Sequence, residues 1–295
     1  RVYNLIKNQL DFTGACHSKP DIRISFYLDE ANDKNPGDNR DFVYRGYFDD
    51  DKNLSLAFGS NIARVTVDSQ KRTVKGTIIN YRECCKERIF DLIFFQPISF
   101  ILSRRGLFFI HASMVGMGRR RLLITGPQNC GKSTVALILA QAGFNLLSDD
   151  DCFVKLKGKY IQAFSFPTKM GLKDNILNKY PKFNLHTLKN YRYGGKKRLS
   201  LNRVSSQSGP KRSRCIAIIF PAYKDGCKNV RLKEIPAGES LARLTGEHGM
   251  LEKKIYKKMF WTLYHLTKET RSFELIYNDG ILNKIPGAVK EILQS

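Results

Sequence analysis

The sequence lacks the cysteine patterns that are typical of metal sites and of disulfide-rich folds. Its seven cysteines include no C-x-x-C pair and no combination with histidine at metal-ligand spacing. The number is odd, and one of them, Cys130, lies inside a glycine-bounded loop. These features argue against a secreted domain held by disulfides and against a structural zinc site, and they favour reduced thiols in a reducing compartment.

A long hydrophobic run and a signal peptide are also missing. The most apolar stretch, 89–102, is interrupted by Asp91, Gln96 and Pro97 and is followed by Arg104 and Arg105. A transmembrane helix needs about 20 predominantly apolar residues in succession. We therefore expect no membrane span and a cytoplasmic protein.

Acidic residues are scarce, with 27 Asp and Glu against 50 Lys and Arg, which gives a net charge of +23. Such an excess permits nucleic acid, acidic phospholipid or acidic protein as a partner. The basic residues are dispersed in short clusters along the chain and do not form a single tail. This distribution favours solvated basic faces together with one phosphate-handling site, and we do not expect nucleic acid as the main partner.

The length of 295 residues allows one or two domains. Residues 1–88 alternate apolar and polar side chains in four segments, which predicts a small β-rich module with an antiparallel sheet. The segments are 22–26, 42–48, 62–67 and 74–79. Residues 89–295 are predicted to form a second, α/β domain that carries the chemistry.

Hydrophobic periodicity gives a coarse secondary structure for residues 89–295. Helices are predicted at 89–104, 135–142, 249–268 and 288–293, and strands at 107–111, 122–125, 145–147, 152–156, 215–220 and 273–277. A hairpin-like turn is expected over 115–119. Residues 172–212 are polar and basic with weak periodicity, and we expect a mobile loop over 191–198.

The most informative segment joins an apolar strand to a helix through a glycine-bounded loop. Gly126, Gly131, Lys132 and Ser133 occupy every fixed position of the phosphate-loop pattern G-x-x-x-x-G-K-[ST]. Such a loop holds phosphate oxygens with its backbone N–H groups, while the lysine binds the β- and γ-phosphates and the serine hydroxyl binds Mg²⁺. The predicted nucleotide-binding residues are Gly126, Pro127, Gln128, Asn129, Cys130, Gly131, Lys132, Ser133 and Thr134.

Two further features lie in register with this loop. His111 precedes Gly126 by fifteen residues at the end of an apolar strand, and Asp149 follows Lys132 by seventeen at the end of the next strand. Ligands and catalytic groups of α/β sheets sit at such strand ends, where a carboxylate can hold Mg²⁺ or accept a proton. A structural role, with Asp149 as a turn residue and His111 as a core histidine, is the alternative.

The segments Ile110–Met114, Leu122–Thr134 and Ala142–Asp150 resemble the catalytic domain of HPr kinase/phosphorylase and its HPr-kinase-like relatives. The resemblance is strong over residues 106–155, becomes loose up to 295 and does not cover 1–88. It implies a phosphate-loop fold related to phosphoenolpyruvate carboxykinase and the phosphorylation of a protein serine. It also implies that Asp149 is the general base, that Asp150 supports it or the metal, and that His111 lies beside the aspartate.

We therefore predict an ATP- and Mg²⁺-dependent kinase that transfers the γ-phosphoryl group to a hydroxyl of a protein, peptide or small molecule. One alternative is a nucleic-acid-associated or regulatory P-loop NTPase, and another is a nucleotide-binding module without activity. The spacing of seventeen residues between Lys132 and Asp149 in the sequence favours the kinase. The signature that bifunctional relatives use for phosphorylase activity is not recognisable, so that activity is expected to be absent or poor. The sequence does not determine whether the protein forms a homo-oligomer.

Overall fold

The structure is a computed structural model of the chain. It describes residues 22–28, 44–48, 53–58, 63–78, 94–166, 169–179, 187–193, 196–201, 212–245 and 253–294. These residues belong to two compact units, and the chain passes from the first to the second between Arg105 and Gly106. The protein is a mixed α/β structure with several sheets, as predicted at this coarse level. The division into domains at residue 88 stays a prediction.

The first unit contains a five-stranded sheet with the order β1-β5-β4-β3-β2. In β4 the side chains of Ala63, Val65 and Val67 are buried while those between them face outward, which is the alternation expected of a half-buried strand. The strands are β1 (Arg23–Leu28), β2 (Tyr44–Phe48), β3 (Asn53–Phe58), β4 (Ala63–Asp68) and β5 (Thr73–Ile78).

The expectation of a purely antiparallel sheet is wrong at one edge, because β1 pairs with β5 in parallel. These two strands are far apart in the chain, and a long connection permits parallel pairing where a tight hairpin does not. The same unit holds helix α1 (Gln96–Ser103), which has Pro97 in its first turn and buries Ile98, Phe100 and Ile101. Residues 94 and 95 are also helical, and residues 89–93 of the predicted helix lie outside the described residues.

The second unit holds the remaining elements. Its strands are β6 (Phe108–Met117), β7 (Arg120–Thr125), β8 (Asn145–Ser148), β9 (Asp151–Lys157), β10 (Tyr160–Ser165), β11 (Met170–Leu172), β12 (Thr187–Tyr193), β13 (Lys196–Leu199), β14 (Arg212–Tyr223), β15 (Arg231–Ile235) and β16 (Arg271–Tyr277). Its helices are α2 (Lys132–Gln141), α3 (Asp174–Lys179), α4 (Ala237–Thr245), α5 (Lys253–Glu269) and α6 (Ile285–Gln294), with a 3₁₀ helix at Asp279–Lys284.

The main sheet has the order β10-β9-β6-β7-β14-β16-β15, with β8 paired to β6. Strands β7, β14 and β16 run parallel to one another, whereas β6 is antiparallel to both β7 and β9. Ala112 therefore lies opposite Thr125, and His111 lies opposite Asp151. This register places the first half of β6, the end of β7 and the start of β9 at one edge of the sheet.

Two hydrophobic clusters cover the two faces of this sheet. Consecutive residues of one strand belong to different clusters, for example Ile218 and Ile219 in β14, as expected when side chains alternate across a sheet. Helices α2 and α6 contribute to one cluster, and α4 and α5 contribute to the other. Hydrophobic periodicity predicts that Leu251, Ile255, Met259, Leu263 and Leu266 form the inner face of α5. The last four are buried, while 249–252 lie outside the described residues.

The prediction of a loop over 191–198 is wrong. Strands β12 and β13 occupy most of this segment and form a three-stranded sheet with β11 in the order β11-β13-β12. Hydrophobic periodicity does not identify β13, because three of its four residues are basic and Leu199 alone is fully buried. Strands β10 and β15 and helix α4 were also not predicted. Among the described residues, no helix has the length and apolar character needed to cross a membrane.

Candidate functional site

The loop between β7 and α2 has the backbone conformation that its sequence predicts. Gly126, Asn129 and Gly131 have φ angles of 138°, 67° and 101°, in the region that glycine adopts most easily and asparagine tolerates better than most residues. Gly131 is the N-cap of α2 and Lys132 is its first residue. The helix therefore begins directly at the loop, three residues earlier than predicted.

Gly131 is required for space as well as for backbone angle. A Cβ atom at this position would overlap the hydroxyl of Tyr277, which comes from the end of β16 and is itself buried. Burial also raises the pKa of Tyr277 to about 12, so its hydroxyl stays neutral. The uncharged side chain of Tyr277 thus packs directly against the loop at Gly131.

The side chain of Lys132 lies against the loop that precedes it. Its Nζ atom donates hydrogen bonds to the carbonyl oxygens of Gly126, at 2.8 Å, and Pro127, at 3.1 Å. The residue is only 5% exposed, and burying an ammonium group is costly unless its donors find acceptors. The two carbonyl groups therefore hold the charge of Lys132 at the base of the loop.

Asp149 lies beneath the site and is almost fully buried. Its Oδ1 accepts a hydrogen bond from Ser113 Oγ at 2.7 Å, and its Oδ2 accepts one from the backbone N–H of Gly171 at 3.2 Å. Ser133 of the loop also lies near this carboxylate and favours its charged form. Burial and the neighbouring Asp150 raise the pKa of Asp149 to about 6, although the hydrogen bond from Ser113, the nearby Ser133 and the charge of Lys196 oppose the shift.

The carboxylate of Asp150 points away from that of Asp149 and toward the cleft. Its φ angle of 68° is unusual for a residue with a side chain, and this turn separates the directions of the two adjacent carboxylates. Asp150 Oδ1 lies 3.7 Å from His111 Nε2, and Oδ2 lies 3.5 Å from Lys196 Nζ. The resemblance implies that His111 lies beside Asp149; in the structure its imidazole lies beside the carboxylate of Asp150.

These groups surround a cleft of about 160 Å³. The sequence-predicted residues that line it are His111, Gln128, Asn129, Gly131, Lys132, Ser133, Thr134 and Asp150. The other predicted residues, Gly126, Pro127, Cys130 and Asp149, do not line the cleft. The first three build the loop, and Asp149 lies behind Ser133.

Several residues of the site were not predicted from the sequence. Ser113 and Gly171 hold Asp149, Lys196 pairs with Asp150, and Lys173 donates a hydrogen bond of 2.7 Å to Asn129 Oδ1. Ser113 lies two residues after His111 on the same strand, and this spacing could have suggested it. The others come from β11, from the residue after it and from β13, which no local pattern connects to the loop.

Gly171 has a double role in this arrangement. Its N–H group binds Asp149, and a Cβ atom at this position would come within 2.9 Å of Lys196 Cδ and 3.0 Å of Arg198 Nη1. Real Cβ contacts are essentially never shorter than 3.0 Å. The bare backbone of Gly171 therefore gives Lys196 the room to cross β11 and reach Asp150.

Comparison with known proteins finds a weak similarity to a solved structure. No protein-family model matches the chain, and no curated protein matches it. Among solved structures, the chain is similar to the Hpr(Ser) kinase/phosphatase from Coxiella burnetii, with 11% sequence identity and a TM-score of 0.33. The match covers 63% of this chain and 93% of that one. A similarity of this size carries no argument about the site.

Proposed function

We propose that this protein is an ATP- and Mg²⁺-dependent phosphotransferase of the HPr-kinase-like type. It would transfer the γ-phosphoryl group of ATP to a hydroxyl, in the first place a serine, of a protein, peptide or small-molecule acceptor. The observation that carries the proposal is that most of the glycine-bounded loop, including Lys132, lines one cleft together with His111 and Asp150. Phosphoryl transfer depends on positioning and charge, and these groups supply both.

The loop is suited to the phosphates of ATP. Residues 126–134 precede and begin α2, and the N-terminus of a helix attracts anions through its unpaired N–H groups. Lys132 is held by two carbonyl oxygens at the base of the loop. An incoming phosphate oxygen is a stronger, charged acceptor for the same ammonium group, so we expect Lys132 to exchange these carbonyls for the β- and γ-phosphates.

The oxygen ligands around Ser133 fit Mg²⁺. This ion is usually bound by one or two carboxylates, substrate phosphates and water rather than by a complete protein cage. Within the described residues there is no cluster of three or more His, Cys, Asp or Glu side chains that could hold a metal. Ser133 and Asp150 would bind the ion together with the phosphates, and Asp149 would orient Ser133. The ion would supply charge neutralisation at the transferred group.

We assign the general base to Asp149, as the resemblance implies, and this role requires the acceptor hydroxyl to reach past Ser133, because the Asp149 carboxylate does not line the cleft. A carboxylate with a pKa of about 6 suits this role, because proton transfer is most efficient when the pKa lies near the working pH. Asp150 is the competing candidate, favoured by its position on the cleft wall and its proximity to His111. The asparagine variants considered in the Discussion distinguish the two.

Incubation with γ-labelled ATP and Mg²⁺ tests the proposal. Pooled serine-containing peptides and proteins that co-purify with the chain serve as acceptors. We expect label on a hydroxyl of an acceptor. Label found only as inorganic phosphate would instead support an NTPase. This is the second candidate, because a net charge of +23 would allow the protein to bind nucleic acid and nucleic acid to stimulate the hydrolysis. Nucleotide binding without any turnover would support the inactive binding module and contradict the kinase.

Gly171→Ala should reduce phosphoryl transfer by up to about tenfold, which is less than the 10²-fold that a misplacement near 1 Å can cost. The added methyl group would lie 2.9 Å from Lys196 Cδ and shift this flexible side chain relative to Asp150, while the backbone angle of Gly171 is one that alanine can adopt. ATP affinity, measured by titration calorimetry, should change by only a few-fold because the loop is untouched.

Gly238→Ala is the matched control, since a Cβ atom there would meet nothing within 4 Å. It should behave like the parent. A double-mutant cycle with Lys196→Met identifies the cause: if Gly171 acts through Lys196, the two losses will not add. Additive losses, or an unchanged rate in Gly171→Ala, would contradict this role.

A further inference from the structure

The outer face of helix α5 exposes a group of aromatic side chains. Tyr256, Phe260 and Trp261 are 42%, 41% and 56% exposed, and Trp261 is the sole tryptophan of the chain. Among the described residues these three make up half of the large hydrophobic side chains that are exposed. The opposite side of the helix is already buried in the core. About half of each of these aromatic side chains is therefore left exposed by the packing of the fold.

Lysines share this outer face with the aromatic rings. Lys253, Lys254, Lys257, Lys258 and Lys268 are all exposed. With 3.6 residues per turn, Tyr256, Phe260 and Tyr264 follow one another along the helix, and the lysines lie beside them. In the part of the chain that the structure describes, Lys253, Lys254, Lys257 and Lys258 form no ion pair. The face is both cationic and aromatic.

The rings on this face are ordered among themselves. Trp261 stacks on Tyr264 with ring centroids 5.3 Å apart, and His265 meets Trp261 edge-on at 4.9 Å. Lys268 Nζ lies 5.9 Å from the centre of the Tyr264 ring. Prearranged rings lose little conformational entropy when a partner covers them. The face is therefore suited to binding without rearrangement.

The charge and the residue types of this face of α5 indicate which kind of partner it binds. The lysines require an anionic surface, and Arg, which is enriched at protein interfaces and binds phosphate with a fixed fork, is absent from α5. Single-stranded nucleic acid usually binds in a groove, whereas this face is a convex helix surface. Tryptophan and tyrosine concentrate at the interface of lipid bilayers, and lysines are attracted to anionic headgroups.

We propose that the outer face of α5 docks the protein on an anionic phospholipid surface. The helix lies in the plane of the interface, with its lysines among the headgroups and the rings of Tyr256, Phe260 and Trp261 at the boundary with the acyl chains. Binding is peripheral, and it stands independently of the proposed phosphotransferase activity. Binding of this kind would also explain part of the excess of Lys and Arg over Asp and Glu.

Vesicle binding by the full chain tests this inference. The probes are phosphatidylcholine vesicles with and without phosphatidylserine, used in co-sedimentation at physiological salt. We expect binding only to the anionic vesicles, accompanied by a blue shift of the Trp261 fluorescence. Because this tryptophan is unique, its spectrum reports on α5 alone. Binding without a spectral shift would show that another surface is used and would overturn the proposal.

Matched variants separate a specific face from general attraction to a cationic protein. Substitution of Lys254, Lys257 and Lys258 by glutamine should weaken binding about 10²-fold, since each lysine near the surface contributes about fivefold. The control carries the same change at three exposed lysines away from α5, namely Lys224, Lys228 and Lys290, and should lose far less. Equal losses in the two variants would overturn the proposal.

Phe260→Ser tests the aromatic contribution without a change in charge. It should weaken binding to anionic vesicles by about tenfold and leave the circular dichroism spectrum unchanged, since its side chain is exposed. An unchanged affinity would exclude insertion of the rings. A shift of the Trp261 spectrum with single-stranded oligonucleotides, but not with vesicles, would also overturn the proposal and would assign the face to nucleic acid.

Discussion

Substitution of Lys132 by alanine is expected to abolish the stabilisation of the protein by ATP. In the parent, a ligand that binds only the folded state at 100 times its Kd stabilises by about 2.7 kcal/mol. Among the described residues that line the cleft, Lys132 is the buried cation, and the β- and γ-phosphates would lose this partner. The measurement is the shift in Tm on adding ATP and Mg²⁺, taken separately for each variant.

Comparing each variant with and without nucleotide removes the effect of the substitution on the fold itself. This matters because alanine also leaves the carbonyl groups of Gly126 and Pro127 without their ammonium donor. Lys228→Ala, an exposed lysine away from the cleft, is the control and should keep the full shift. An undiminished shift in Lys132→Ala would contradict the phosphate-loop assignment.

The sequence predicted those parts of the fold that depend on neighbouring residues. The periodicity of α5 identified its buried side, and the motif ending in Lys132 located the turn between β7 and α2. The parallel pairing of β1 with β5 was missed because it joins segments separated by 44 residues. Strand β13 was missed because three of its four residues are basic.

The same distinction applies to the candidate site. His111, the loop and the two aspartates come from segments that are close in sequence, and each carries a recognisable spacing. Lys196 reaches Asp150 through the pairing of β13 with β11, where Arg198 lies opposite Gly171. That register is a property of the folded chain, so the basic run at 196–198 suggested no more than a solvated surface. The opposite directions of Asp149 and Asp150 depend on one backbone angle, which the sequence does not display.

Asp149→Asn is expected to remove most phosphoryl transfer while ATP affinity stays within a few-fold of the parent. General-base assistance is typically worth about 10²–10⁴-fold, and the amide of asparagine cannot take up the acceptor proton. The substitution keeps the shape of the side chain, so an oxygen remains available for the hydrogen bond from Ser113. The measurement is single-turnover transfer at saturating ATP, which separates chemistry from binding and product release.

Asp150→Asn is the comparison that assigns the base. If Asp149 is the base, Asp150→Asn should cost less and should raise the Mg²⁺ concentration needed for half-maximal rate, because Asp150 loses its charge toward the metal. His111→Ala should also cost less than Asp149→Asn, since His111 lies beside Asp150 and would act on the reaction through that carboxylate. A near-parental rate in Asp149→Asn together with a 10²-fold loss in Asp150→Asn would transfer the role to Asp150, the carboxylate that faces the cleft.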